Sequence, residues 1–173
     1  MTHIAYTMSP GRGATDRLLW DLGESLLSEG LRVCGVVQIN SECGPDRPCD
    51  MDVKVLPAGP MMRISQSLGP GSRGCRLDAG ALETAVATVA RSLEAGADVL
   101  LVNKFGKHEA EGRGFRPLIA EALARDVPVL VGVNALNLSA LEAFAGGLAT
   151  ELAPDLAILS AWVAEAKAAD GVR

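Results

Sequence analysis

The chain has 173 residues, of which 49% are hydrophobic and 21% charged, and a net charge of −5; this is length and apolar content enough for one domain with a sizeable core. An acidic balance with six aromatic residues excludes a nucleic-acid module, which needs a basic face and often stacking side chains. No apolar run reaches the roughly 18 residues of a membrane span and the N-terminus lacks the charged-then-apolar layout of a secretion signal, so a cytoplasmic protein without membrane insertion is expected.

His3 to Thr7 is predicted to form a short strand. Thr15 or Asp16 is placed to cap a helix whose Leu18, Leu19, Leu22, Leu26 and Leu27 share one face, and Gly30 ends it. Between the two lies Met8-Ser9-Pro10-Gly11-Arg12-Gly13-Ala14-Thr15. Gly11 and Gly13 permit the backbone angles and close approach that a phosphate nest requires, and the helix N-terminus supplies N–H groups and partial positive charge. Against the pattern G-x-x-x-x-G-K-[ST], Gly13 and Thr15 match, Met8 replaces the first glycine and Ala14 replaces the lysine. The loop therefore reads as an anion cradle lacking the lysine of nucleotide-cleaving loops, or as an ordinary strand-to-helix turn, which also favours Pro and Gly.

Arg32 to Asn40, with Val33, Cys34, Val36, Val37 and Ile39, suits a strand buried on both faces, and Asp98 to Asn103 and Val127 to Val133 read the same way. Met51 to Leu56 differs: apolar Met51, Val53 and Val55 alternate with Asp52 and Lys54, which predicts an exposed antiparallel strand in a β-hairpin insertion spanning about 41–77. From Val53 to Leu77 there is no acidic residue, but there are Lys54, Arg63, Arg73 and Arg76 among Gly59, Gly69, Gly71 and Gly74. Such a segment is either a source of arginines for an anion in the first loop or a solvated loop. Helices are predicted over Ala81 to Ala95, capped by Asp78 and stopped by Gly96, and over Arg116 to Arg125 with Pro117 in its first turn. Ser139 to Ala145 and Asp155 to Ala169 close the chain as helices. Strands alternating with helices imply an α/β class, a three-layer fold with a mainly parallel sheet, in one domain over 1–173.

Cys43, Cys49 and Cys75 match no standard zinc spacing and, with Cys34, are expected to be reduced thiols, Cys34 as a small buried hydrophobe. His108, Glu109 and Glu111 could ligand a metal or move a proton, or form a solvated loop. Phe105 could stack on a base or plug the core beneath the first loop. Gln38 and Asn40 lie at the strand end where open α/β sheets bind ligands.

In their order, the Gly-rich first loop, Ser28-Glu29-Gly30-Leu31-Arg32-Val33, Gly35-Val36-Val37, the inserted hairpin and Val99-Leu100-Leu101-Val102-Asn103-Lys104-Phe105-Gly106-Lys107-His108-Glu109 resemble the thermophilic nucleoside-triphosphatase branch of the P-loop proteins. Ile64-Ser65-Gln66, Arg73-Gly74-Cys75-Arg76-Leu77-Asp78 and Asn103-Lys104-Phe105-Gly106-Lys107 are more similar still to a bacterial domain family of unknown function often found beside molybdate-transport genes. The first resemblance implies a P-loop-like fold and a nucleotide with Mg. It also implies an Asp-Glu pair where this chain has Asn103-Lys104, the aspartate helping to hold magnesium and the glutamate activating water. Asn103 could ligate only weakly through its carbonyl, and a protonated Lys104 cannot act as base.

Three readings follow. The first is an accessory or regulatory protein that binds a nucleotide, another phosphate-bearing small molecule or an oxyanion. Its cradle would be Ser9, Gly11, Arg12, Gly13 and Thr15, with charge from Arg73, Arg76, Lys104 and Lys107, and Thr15 and Asn103 as weak Mg ligands. A link to molybdate or molybdenum-cofactor handling comes from the family resemblance. The second is an active nucleoside triphosphatase or kinase using Lys104 and Glu109 as catalytic residues. The third is a structural interaction domain with a vestigial cradle. A protein partner or a homodimer is compatible with each.

Overall fold

In the computed structural model, which describes residues 3–11, 13–41, 50–69 and 76–171, the apolar runs become parallel strands and the periodic segments become helices against them. The elements are β1 (Ile4–Thr7), α1 (Ala14–Ser28), β2 (Val33–Asn40), β3 (Met51–Leu56), β4 (Met61–Arg63), α2 (Ala79–Glu94) and β5 (Val99–Phe105). They continue as α3 (Lys107–Ala110), α4 (Arg116–Ala124), β6 (Val129–Val133), α5 (Leu138–Phe144), β7 (Thr150–Leu152) and α6 (Leu156–Asp170). Among the described residues the sheet order is β4-β3-β2-β5-β6-β1-β7. From β2 to β7 every neighbouring pair is parallel, while β3 and β4 add an antiparallel hairpin to the β2 edge. This is the mainly parallel α/β sheet with an inserted hairpin that the patterning implies.

Alternation along the strands divides the core into two layers. On one face Leu19, Leu22 and Leu26 of α1 and Leu159 and Val163 of α6 pack over Ala5, Val37, Leu101 and Leu130. On the other, α2, α4 and α5 contribute Ala85, Val89, Ile119 and Leu141 over Tyr6, Val36, Val102 and Val131. Gly30 ends α1 as expected: its φ is 83°, and Leu31 N–H donates to the Leu26 carbonyl at 3.1 Å, closing the last turn. Asp78 caps α2 by accepting from Ala81 N–H at 3.0 Å.

Three features depart from the sequence expectations. α1 is not capped by a side chain: Gly13, in the left-handed region at φ 77°, is its N-cap, and Thr15 and Asp16 point elsewhere. The stretch containing His108 and Glu109 is not a solvated loop but the short helix α3, with Glu109 only 3% exposed. A seventh strand, β7, pairs with β1 at the sheet edge; its three residues are too few to carry a periodic signal.

Candidate functional site

Four parallel strands end at one cleft, of about 770 Å³. β1 leads into the loop Met8 to Gly13, β2 ends in Gln38 and Asn40, β5 in Asn103 and Lys104, and β6 in Gly132 to Asn134; Arg76 reaches in from the hairpin side. The carboxyl ends of parallel strands are where open α/β sheets leave room for ligands, because the chain diverges there toward helices on both faces.

The loop is held by its own backbone. Ser9 N–H donates to Thr15 Oγ1 at 3.0 Å, which closes the turn and fixes the threonine hydroxyl beneath it. Gly11 and Gly13 have φ of 95° and 77°, angles that side-chain-bearing residues adopt only with strain. The floor is equally tight: a Cβ on Gly132 would come within 2.3 Å of the Asn103 carbonyl oxygen and 2.9 Å of Thr15 Cγ2. Gly132 therefore lets β6, β5 and the start of α1 meet directly beneath the cleft.

Asp16 organises the polar wall. Its carboxylate accepts from Asn40 Nδ2 and from Asn103 Nδ2, each at 2.7 Å, so α1 is tied to the ends of β2 and β5. Asn103, 4% exposed, is held at both ends of its amide: its Oδ1 accepts from Gln38 N–H at 3.1 Å and its Nδ2 also lies 3.4 Å from Gln38 Oε1. Gln38 Nε2 in turn donates to Asn40 Oδ1 at 2.8 Å. The requirement of one carboxylate for two donors fixes both asparagine amide orientations.

A β-bulge between Val102 and Phe105 separates Asn103 from Lys104. The irregularity puts Val102 and Phe105 in the same core layer although they are three apart, so Asn103 turns toward α1 while Lys104 is exposed along the cleft. None of the ion pairs among the described residues involves Lys104. Phe105 is wholly buried, 6.0 Å from the Phe144 ring, and plugs the core.

The remaining candidates fall in different places. Arg76 lines the cleft but also pairs with Asp50 at 3.5 Å. The excess of basic residues in its segment is largely compensated by tertiary partners: Arg63 pairs with Asp52 at 3.0 Å and Lys54 with Glu24 at 2.9 Å. Lys107 is 86% exposed beside Glu111 and does not line the cleft. Nor does Glu109. Its Oε2 accepts from Gly106 N–H at 3.2 Å, and its Oε1 lies so near Gly114 that a Cβ there would come within 2.7 Å. Burial pushes its carboxyl above the ordinary glutamate range, opposed by backbone N–H groups including those of Gly106 and Phe115. Arg12, Arg73, Cys43, Cys49 and Cys75 lie outside the described residues. Cys34 is buried, and burial raises its thiol pKa to about 12.

Asp16, Gly132 and Asn134 were not singled out as site residues. Asp16 was legible only as a cap, Gly132 sits inside an apolar strand with no local turn signal, and Asn134 looked like the residue after a strand. Among the described residues no group of three His, Cys, Asp or Glu side chains could hold a metal, and no helix is long and apolar enough to cross a membrane.

The model of the family described as Protein of unknown function (DUF2478) matches residues 4–162. The chain belongs to this family. The match spans every element from β1 into the first half of α6 and includes all cleft residues named above. The chain is also 37% identical over 147 residues to the molybdenum import ATP-binding protein ModC 2 of Bradyrhizobium diazoefficiens. That alignment covers 85% of this chain but 16% of the relative, so the chain spans about a sixth of the length of the protein that carries that name. Among solved structures, THEP1 from the hyperthermophile Aquifex aeolicus superposes with a TM-score of 0.61 at 17% identity, over 87% of this chain and 88% of that one. The fold of this chain is thus a P-loop-like α/β architecture, with helices on both faces of a mostly parallel sheet.

Proposed function

We propose that this domain binds a phosphate-bearing small molecule, such as a nucleotide, or a tetrahedral oxyanion in the strand-end cleft, and that it acts as an accessory or regulatory binding protein with little or no turnover. One observation carries this reading: the glycine loop and Lys104 meet in one cleft, while the position expected to carry a metal-holding carboxylate is Asn103, whose amide is held at both ends by Asp16 and Gln38. The loop and the ammonium suit an anion. The asparagine does not suit phosphoryl transfer, which requires a held cation and an oriented water.

The oxygens that a magnesium ion would need are already in use. Thr15 Oγ1 accepts from Ser9 N–H, Asn103 Oδ1 accepts from Gln38 N–H, and both Asp16 oxygens accept from amides. Each of these oxygens already accepts one hydrogen bond, and Asp16 is the one charged group among them, so a divalent ion would be held chiefly by the ligand's own phosphates with Thr15 and Asp16 as its protein contacts.

The competing reading is an active triphosphatase or kinase. The exposed Lys104 at the cleft favours it, because that ammonium could stand in for the charge missing at Ala14. The burial of Glu109 under its Gly106 bond weighs against it. A molybdate or molybdenum-cofactor connection rests on the molybdenum-import name of the Bradyrhizobium relative and on chemistry: molybdate, like phosphate, is a tetrahedral oxyanion that N–H groups and a lysine can surround. A cytoplasmic setting is part of the same proposal. Calorimetric titration with ATP, GTP, molybdate and phosphate, with and without Mg, combined with an assay for released phosphate, tests the reading. Binding without turnover supports it, turnover replaces it with the enzyme, and no binding by any of the four refutes it.

A further inference from the structure

A second cavity, of about 810 Å³, adjoins the cleft across the start of α1. The two share Gly13, Asp16, Gln38 and Asn40, so a ligand anchored in one is within a few bonds of the other. The character of the second lobe is different. Arg17 and Asp21 line it together with Ala14, Trp20 and Ile39, and none of these five borders the cleft.

Each of these residues has a physical peculiarity. Ile39 is 48% exposed on a strand whose earlier residues are buried, which leaves a large apolar surface facing the lobe. Trp20 is a fixed wall: Lys54 Nζ lies 5.4 Å from its ring centroid and is itself anchored to Glu24 at 2.9 Å. Ala14 occupies the position where the phosphate-loop pattern has lysine. Its methyl group lines the second lobe.

We infer that this lobe seats the base of a purine nucleotide whose phosphate lies at the glycine loop. Trp20 and Ile39 provide flat apolar walls, and Asp21 accepts from the exocyclic amine of the base. The inference rests on the anion-cradle reading above and narrows its ligand to a phosphate joined to an amine-bearing aromatic ring.

The test uses the full chain with Trp162→Phe, so that Trp20 is the sole tryptophan reporter. AMP and GMP are titrated beside ribose 5-phosphate and inorganic phosphate, following both fluorescence and heat. A purine nucleotide should quench Trp20 and bind at least about fivefold tighter than ribose 5-phosphate, the low end of what stacking on an aromatic side chain contributes. Ile39→Asp, which removes an apolar wall that borders the lobe and not the cleft, should abolish that advantage and leave phosphate binding at high salt unchanged. Equal affinity for AMP, GMP and ribose 5-phosphate in the parent would overturn the base site while leaving the cradle standing. An equal loss for all four ligands in Ile39→Asp would overturn it as well. Failure of phosphate and all three esters to bind would remove the cradle reading and this inference together.

Discussion

Replacing Asp16 by Asn should move stability and anion affinity in opposite directions. The carboxylate accepts two bonds of 2.7 Å, from Asn40 and Asn103, and a carboxamide can serve only one of those donors. The other would face an NH₂ group, unless Asn40 turned its amide and gave up the bond it accepts from Gln38 at 2.8 Å. Hydrogen bonds to a charged group contribute about 1.5–3 kcal/mol each, so losing one of the two in this half-buried setting should cost about 1–2 kcal/mol. For a chain of this size that corresponds to roughly 2–8 °C in Tm. For a bound anion the sign reverses. A unit negative charge at a separation on the order of 8 Å, with an effective dielectric of about 20, opposes the anion by about 2 kcal/mol. Asp16→Asn should therefore tighten inorganic phosphate by up to about thirtyfold at low salt, less as screening increases. Thermal unfolding and calorimetry on the same preparations measure both quantities. Unchanged Tm would show that the Asp16 network does not hold the strand ends together, and weakened phosphate binding would show that the anion does not sit near this carboxylate.

Three further outcomes follow from the geometry. Lys104→Ala should weaken phosphate binding about fivefold to fiftyfold and flatten its salt dependence with no change in Tm, since Lys104 is exposed and forms no ion pair among the described residues; wild-type affinity across a salt series would remove it from the site. Gly132→Ala should destabilise by about 2–4 kcal/mol, because the added Cβ meets a backbone carbonyl oxygen at 2.3 Å and backbone cannot yield cheaply; a wild-type denaturation midpoint would contradict that contact. Glu109 has a raised pKa, so its stabilising contribution is complete below the ordinary glutamate pKa and declines as pH rises toward the folded value. Glu109→Gln, which keeps an acceptor for Gly106 N–H, should accordingly match the parent in acid and gain on it as pH rises through and beyond pH ~4.5; parallel stability curves would refute the buried-carboxylate assignment.

The architecture was legible because its signals are local. Val33 to Val37 and Val99 to Val102 are continuous apolar runs that only a strand covered on both faces requires, and α1, α2 and α6 carry their contact faces at helical spacing. The antiparallel β3 could be read from its alternation, although its partner β4, Met61 to Arg63, is too short to announce itself. The site was only partly legible, because its decisive contacts are long-range. Asp16 and Asn103 are 87 residues apart, and nothing near either position signals that the carboxylate helix α1 contributes is the partner of the asparagine on β5. Charge counting along the hairpin segment leaves out ion-pair partners for the same reason. Arg63 and Arg76 find Asp50 and Asp52 just outside the window in which no acid occurs. Glu109 had the composition of a catalytic or solvated acid, and only the close packing of Gly114 and Phe115 shows it to be a buried cap.

The most direct test of the central claim is phosphate release by the unmodified protein at saturating ATP or GTP and Mg, with Lys104→Ala measured in parallel. With Ala14 at the loop position and Asn103 tied to Asp16 and Gln38, release should stay at the background rate in both proteins while calorimetry reports a bound phosphate-bearing ligand in the parent. Multiple turnovers in the parent that vanish in Lys104→Ala would contradict the account and make Lys104 the phosphate-binding lysine of a working enzyme.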